Sequence, residues 1–386
     1  MANAGFGSID KSIATLSLCG LMLIAVVYWF ARYIEPKPTP LQGFTAPFVF
    51  GNFRVPTDNP LTQEAVELGR RLFYDRQLSG DNTVSCSTCH LQHLAFTDGR
   101  ARSVGVSGKM LEFNSMSLAN LMWGPQHFFW NGRVDSLEEQ ALDPIQHPDE
   151  MAQNLDDLID ELESDDVYPG LFKSAYGEIS AENIARALAS FERTLISADS
   201  KYDQYLRGEL KLSAEEEMGR KLFMAHPDVK VSLRGGNCID CHSQFLTSGF
   251  NAQFDGFSNN GLDAETLLDS GLQVATGQAT DRGKFKVPTL RNIALTAPYM
   301  HDGRFSTLEQ VLDHYNEGIR ASDTLSPLIM EADNQPQNAA NIRISLNLNE
   351  KEKRAIIVFL HTLTDHGFIT DDEFSNPFDV DTKPDA

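Results

Sequence analysis

Two short runs hold most of this chain's chemistry. Cys86-Ser-Thr-Cys89-His90 and Cys238-Ile-Asp-Cys241-His242 each set two thiols one helical turn apart, with an imidazole directly after the second. That spacing suits two thioethers to the vinyl groups of one haem, the histidine turning its ring toward the iron. From the chain's own Cys and His frequencies one such run is expected by chance on the order of 0.002 times, so two are a strong signal for covalent haem c. A zinc site made of two CxxC pairs is the competing reading, yet zinc gives no reason for a histidine after each second cysteine. Of the five cysteines only Cys19 is left over, inside an apolar stretch, so none remain for a structural disulfide.

What each iron would do depends on its sixth ligand, because an open site reacts with peroxide and a filled one passes electrons. His93 follows His90 too closely to fold over the opposite haem face, and the next histidine is His127. Met110 and Met116 stand in the gap without a supporting pattern. The His90 haem is therefore expected to be five-coordinate. Peroxide chemistry there needs an acid–base group to move a proton between two oxygens, and Trp130–Glu150 offers carboxylates and amides.

These groups must be held by helices. The text Leu68-Gly-Arg-Arg-Leu-Phe73 recurs as Met218-Gly-Arg-Lys-Leu-Phe223, 150 positions on, and the haem motifs are 152 apart. A repeat whose copies end in one cofactor motif predicts two related domains. We divide the chain into an N-terminal anchor with its flanks (1–36), a first haem domain (37–205) and a second haem domain with an acidic tail (206–386). Asn59-Pro60 predicts the start of a helix with Leu61, Ala65, Leu68 and Leu72 on one face, and Ser213 with Glu216 reads as a capping box. Ser136 with Glu139, Ser180 before Ile184, Leu188, Phe191 and Leu195, Ser306 with Glu309, and Asn349 with Glu352 mark further starts. Strand signals are short and few. The expected class is all-α, two cytochrome c-like domains with long loops, and residues 251–290 read as a loop around a cofactor.

Ile13–Ala31 is uncharged between Lys11 and Arg32, the length of one membrane-spanning helix, and lacks the small-residue site of a cleaved leader. Glu35–Pro40 then reads as a stiff spacer. This predicts a bacterial inner-membrane anchor with the haem domains in the periplasm. With 32 basic against 54 acidic residues, a formal charge of −22, the composition excludes a nucleic-acid footprint and favours a basic protein partner. The acidic runs Asp156–Asp166 and Asp365–Asp385 read as solvated faces.

Together with the haem motifs, FFWNGRVDSLEEQALDPIQHPDEM and FKVPTLRNIALTAPYMHDGRFSTLEQVLDHY resemble the bacterial dihaem cytochrome c peroxidases and their MauG-type relatives over about residues 60–320. The resemblance implies a peroxidatic first domain, an electron-transferring second domain and a calcium ion between them. It implies that Trp130 lies in the path between the haems, that Gln140 and Glu150 line the peroxide pocket, and that Pro144 packs above the iron. Arg133 would meet a haem propionate, and calcium would be held by Asn114 and by the carbonyls of Thr296 and Pro298. Asn131 stands where the family usually has Asp. Tyr315 stands fourteen residues after His301, where the peroxidases place an axial Met and MauG-type members a Tyr, so it is the expected ligand of the His242 haem. Met300 is the nearest alternative, and His301 receives no role.

The resemblance implies a peroxidase that reduces hydrogen peroxide to water, with electrons from a small cytochrome c or cupredoxin entering at the second haem. One alternative is a MauG-like enzyme that turns the same oxidising iron on Trp or Tyr of a protein partner. Another is a membrane-tethered dihaem electron carrier without turnover.

Overall fold

The computed structural model describes residues 38–379 apart from 48, 49, 52, 54, 125, 126, 244–255, 332, 333 and 335–344. Ile13–Ala31, with Cys19, lies outside the described residues, among which no helix is long and apolar enough to cross a membrane. The fold is helical. The first half contains α1 (Gln63–Tyr74), α2 (Cys86–Cys89), α3 (Leu137–Gln146), α4 (Leu155–Ser164), α5 (Tyr168–Ala175) and α6 (Ala181–Thr194). After it come α7 (Lys201–Leu206), α8 (Ala214–Met224), α9 (Gln273–Thr276), α10 (Leu308–Asp313), α11 (Pro327–Met330) and α12 (Glu350–His361). The stretch read as a long loop is irregular but carries α9 and a pair of two-residue antiparallel strands, β1 (Phe257–Ser258) and β2 (Phe285–Lys286).

Side-chain caps set most helix starts. Ser213 with Glu216 and Asn349 with Glu352 form capping boxes, and Ser136 accepts from the Glu139 N–H. Two starts differ from the sequence reading. Thr62, not Asn59-Pro60, caps α1, because the Asn59 side chain is drawn inward to Glu138 and the Arg186 carbonyl. Thr307 caps α10 in place of Ser306, since Gln310 reaches back to both the Ser306 and the Thr307 N–H.

The repeated text explains itself in the packing. α1 crosses α6 at Gly69, where an added Cβ would stand 1.9 Å from the Ala187 carbonyl oxygen. α8 crosses α12 at Gly219, with the same 1.9 Å to Ala355. Phe191 and Phe359 flank the two crossings, each four residues after its alanine. Around the first crossing Leu68, Leu72, Phe73, Leu188 and Phe191 form one core; around the second Leu222, Phe223, Ile356, Phe359 and Leu360 form another.

Segments near the junction and near residue 370 pack across between the two cores. Tyr202 on α7 already belongs to the second core, while Phe368 and Phe374, from the end of the chain, pack into the first. Tyr74 donates to the Phe374 carbonyl and Arg70 to that of Ser375, fixing the returning segment against α1.

Candidate functional site

α2 carries Cys86 and Cys89 and ends at His90. The His90 Nδ1 lies 2.8 Å from the Phe96 carbonyl. With the proton on Nδ1, Nε2 is the nitrogen left for a metal. Ala95 and Phe96 reach positive φ, 51° and 61°, an uncommon conformation that turns this carbonyl back to the ring. Burial lowers the His90 pKa and so favours the neutral imidazole a metal requires. Around it lies a cavity of about 700 Å³ lined by Cys86, Cys89, Trp130, Gln140, Pro144 and Glu150.

The second motif repeats this around a narrower cavity of about 190 Å³, lined by Cys238, Cys241, His242, Met300, His301 and Tyr315. Burial takes the His242 pKa down to about 4; the Pro288 carbonyl offsets part of this, although Nδ1 lacks a partner in hydrogen-bond geometry. None of the four motif cysteines is in a disulfide, and burial holds the thiols protonated, Cys89 at about 11 and Cys238 and Cys241 at about 12. Zinc would ask for thiolates, and no cluster of three His, Cys, Asp or Glu among the described residues could hold a metal ion. Buried thiols with the motif histidine beside them in each cavity suit thioether attachment; His147 also lines the first cavity and His301 the second.

Glu150 lies just beyond α3, its carboxyl pKa raised by burial, with His147 Nδ1 3.9 Å away and the Arg133 charge opposing the shift. Gly105 lets the neighbouring loop lie on this segment: a Cβ there would meet the Asp149 and Glu150 carbonyl oxygens at 2.2 and 2.3 Å. The Gln140 Oε1 is buried without a hydrogen-bond partner and lines the same cavity. Arg133 lines the first cavity as well. Asp143 takes its Nη2 and Nε at 2.5 and 3.1 Å, and the guanidinium lies 3.5 Å over the Phe129 ring. Asn131 accepts only a long 3.5 Å contact from Arg133.

Trp130 lines both cavities. Its indole N–H donates to the Asn114 carbonyl at 2.8 Å, and its ring meets that of His301 edge-on at 6.5 Å. His301 itself stacks on Phe285 at 3.6 Å. Asn114, Thr296 and Pro298 share the wall of the first cavity; the Asn114 amide donates to the Arg100 carbonyl, which leaves Oδ1 as its acceptor.

A second repeat, marked in the sequence by Gly132-Arg133 and Leu137-Glu138 against Gly303-Arg304 and Leu308-Glu309, becomes clear in three dimensions. The bridge Phe128–Val134 recurs as Tyr299–Phe305, Phe129 and Met300 both have positive φ (63° and 76°), and α3 and α10 each begin three residues after the bridge. The backbone N–H of Asn114 donates to His301, and that of Lys286 to Trp130, both at 2.8 Å. By this equivalence Trp130 matches His301, Gln140 matches Val311, and Pro144 matches Tyr315. Proline offers a metal nothing, whereas Tyr315 brings a phenol oxygen. That residue is half-buried, desolvation pushes its phenol pKa up to about 12, and it accepts from the Asn260 amide at 3.3 Å; the same amide lies 3.5 Å from the Met300 sulfur.

Comparison with known proteins agrees with this geometry. The family described as di-haem cytochrome c peroxidase matches residues 63–211. The methylamine utilization protein MauG of Methylorubrum extorquens is 36% identical over 312 residues, 80% of each chain. The chain belongs to the di-haem cytochrome c peroxidase family. The cytochrome c peroxidase Ccp of Escherichia coli is 36% identical over 259 residues, 66% of this chain and 53% of that one. A solved MauG-like protein associated with microbial copper homeostasis superposes with a TM-score of 0.75 at 35% identity, covering 88% of this chain and all of its own. Membership makes the chain a peroxidase-type oxidoreductase with two haems c.

Three residues at these cavities escaped the sequence reading: Asn260, Lys286 and Glu192. Glu192 had a signal, since it falls one turn after Leu188 on the apolar stripe of α6. It is 4% exposed, lines the first cavity, and its Oε2 has no hydrogen-bond partner. At the matching place after Phe359 the second half has Leu360, which lines the second cavity. Burial pushes the Glu192 carboxyl up to about 8, with Arg193 opposing. An acid whose folded pKa is raised stabilises the fold below its unfolded value, and that contribution is lost as pH climbs from about 4.5 through about 8. Glu192→Gln removes the ionisation. Its melting temperature should match the parent at pH 5 and exceed it at pH 9; differential scanning calorimetry of the holoprotein checks this, and parallel melting curves at both pH values would refute it.

Proposed function

We propose that this chain reduces hydrogen peroxide to water beside His90, with electrons from a small cytochrome c or cupredoxin entering beside His242. The observation that carries this reading is the meeting of Glu150, Gln140 and Pro144 in the His90 cavity: a carboxyl with a raised pKa, an unpartnered acceptor, and no metal-binding side chain where the other half has Tyr315. Cys86, Cys89 and His90 hold one haem, and Cys238, Cys241 and His242 the other. When bound, these groups supply the iron at which the O–O bond breaks and the iron that delivers electrons. Glu150 takes the proton from one peroxide oxygen and returns it to the other, which leaves as water. Gln140 Oε1 accepts from the peroxide O–H and fixes its orientation. Pro144 fills the space above without competing for the site, and Trp130, open to both cavities, conducts between them.

A MauG-like reaction on Trp or Tyr of a protein partner is the second reading. Tyr315 favours it, because an anionic phenolate ligand would stabilise the ferric state and lower the potential of that haem. We also place a calcium ion at Asn114 Oδ1 and the Thr296 and Pro298 carbonyls, and a periplasmic location held by Ile13–Ala31. Calcium analysis of the purified protein, and haem-stained gels of membrane and soluble fractions, test these two placements.

Glu150→Gln should retain both haems and react with peroxide ~10²–10⁴-fold more slowly, the usual worth of general acid–base assistance. Stopped-flow mixing reads this, and a rate close to the parent's would remove Glu150 from the mechanism. Electron paramagnetic resonance of the oxidised protein should show a high-spin ferric signal near half the total haem, and Tyr315→Phe should alter only the remaining low-spin signal. Two low-spin signals in the parent would favour the electron carrier; an unchanged low-spin signal in the variant would return the ligand role to Met300.

A further inference from the structure

Lys286 on β2 is the buried cation common to both cavities. The residue is 3% exposed and lines both walls, with Trp130, Pro288, Ile293, Tyr299 and Met300 as the other shared residues. Its backbone is pinned by the N–H bond to the Trp130 carbonyl at 2.8 Å. Its ammonium lies 5.1 Å from the centre of the Phe128 ring. No carboxylate among the described residues stands close enough to oppose its burial, which by itself presses the amine down to about 7. Arg133, the other cation of the first cavity named above, is already neutralised by Asp143.

An ammonium taken out of water without a counter-charge costs several kcal/mol unless it loses its proton or gains an anion. The protein does not supply that anion here. Each cavity, however, receives a group that carries two carboxylates of its own. We propose that Lys286 is a shared anchor for carboxylates of both bound haems, and that its single charge raises the reduction potentials of both together. The inference needs the two haems of the family and not the peroxide reading, so its test uses no peroxide. A positive charge beside an iron centre favours the reduced form, which carries one positive charge fewer, and burial keeps that effect from being screened away. Position supports the assignment: Lys286 occupies the place that Asn114 holds in the first half, so the junction between the halves has one residue of this pair on each side.

The experiment is a spectroelectrochemical titration of the holoprotein and of Lys286→Gln, with both haems followed separately. The equilibrium constant for reduction by a common mediator should fall about tenfold or more at each haem in Lys286→Gln. Lys286→Arg, which keeps the charge, should stay near the parent at both. A fall at one haem only, or at neither, overturns the shared anchor. Should Lys286→Gln fail to load haem, resonance Raman spectra of Lys286→Arg decide instead. The moved cation should then shift the propionate bending modes of both haems, and modes unchanged at either haem would equally overturn the proposal.

Discussion

The connection between the halves is held by one buried hydrogen-bond network, and the placement of both cavities depends on it. Asn120, from the first half, donates to the Ser197 carbonyl and accepts from its N–H, both at 2.9 Å. Asn292, from the second, donates to the Ser197 hydroxyl at 3.0 Å and accepts from the Asp365 N–H. The Asp365 carboxylate takes the N–H groups of Ala198 and Asp199. Both asparagines sit in the left-handed region, at φ of 62° and 61°, a conformation their short polar side chains tolerate better than most. A buried group left unpaired here would cost about 1–3 kcal/mol, so the network resists partial opening. With the linker fixed, Trp130 can face the second cavity from the first half, and Lys286 the first cavity from the second.

On this frame the two halves keep one scaffold and differ in chemistry. The Gly69 and Gly219 crossings are alike to the flanking phenylalanines, because a Cβ at either glycine would stand 1.9 Å from the facing carbonyl oxygen, which leaves no room for another side chain. The positions that look inward have diverged. Pro144 opposes Tyr315, Gln140 opposes Val311, Trp130 opposes His301 and Glu192 opposes Leu360. Each pair puts the group suited to handling a small polar reactant, or no ligand at all, in the first half, and an apolar or ligating group in the second. Packing fixes where those side chains stand, and their chemistry is then free to differ.

The sequence made the haem attachment legible because covalent chemistry demands fixed residues at fixed spacing, and it showed the first repeat because a helix crossing that tolerates only glycine preserves its text. Capping boxes at Ser213 and Asn349 were legible for a similar reason, as each is complete within four residues. The second repeat leaves a shorter signature, Gly132-Arg133 and Leu137-Glu138 against Gly303-Arg304 and Leu308-Glu309; its cavity-facing positions differ, since backbone bridges and positive φ define the rest and many side chains satisfy them. Lys286 was hidden because its meaning lies in what it faces across the halves. The partner of Arg133 was hidden for a related reason: Asp143, ten residues on, reaches it through a turn and a helix that the motif does not describe.

The surroundings of Trp130 bear on how charge would cross between the cavities. Its indole N–H donates to the Asn114 carbonyl, an acceptor too weak a base to take the proton. An oxidised ring would therefore keep its proton and its positive charge, while the Lys286 backbone N–H donates to the Trp130 carbonyl. The Lys286 ammonium itself lies over the Phe128 ring, 5.1 Å from its centre. On the proposed peroxidase reading, Trp130, which lines both cavities, would be the short bridge that joins them.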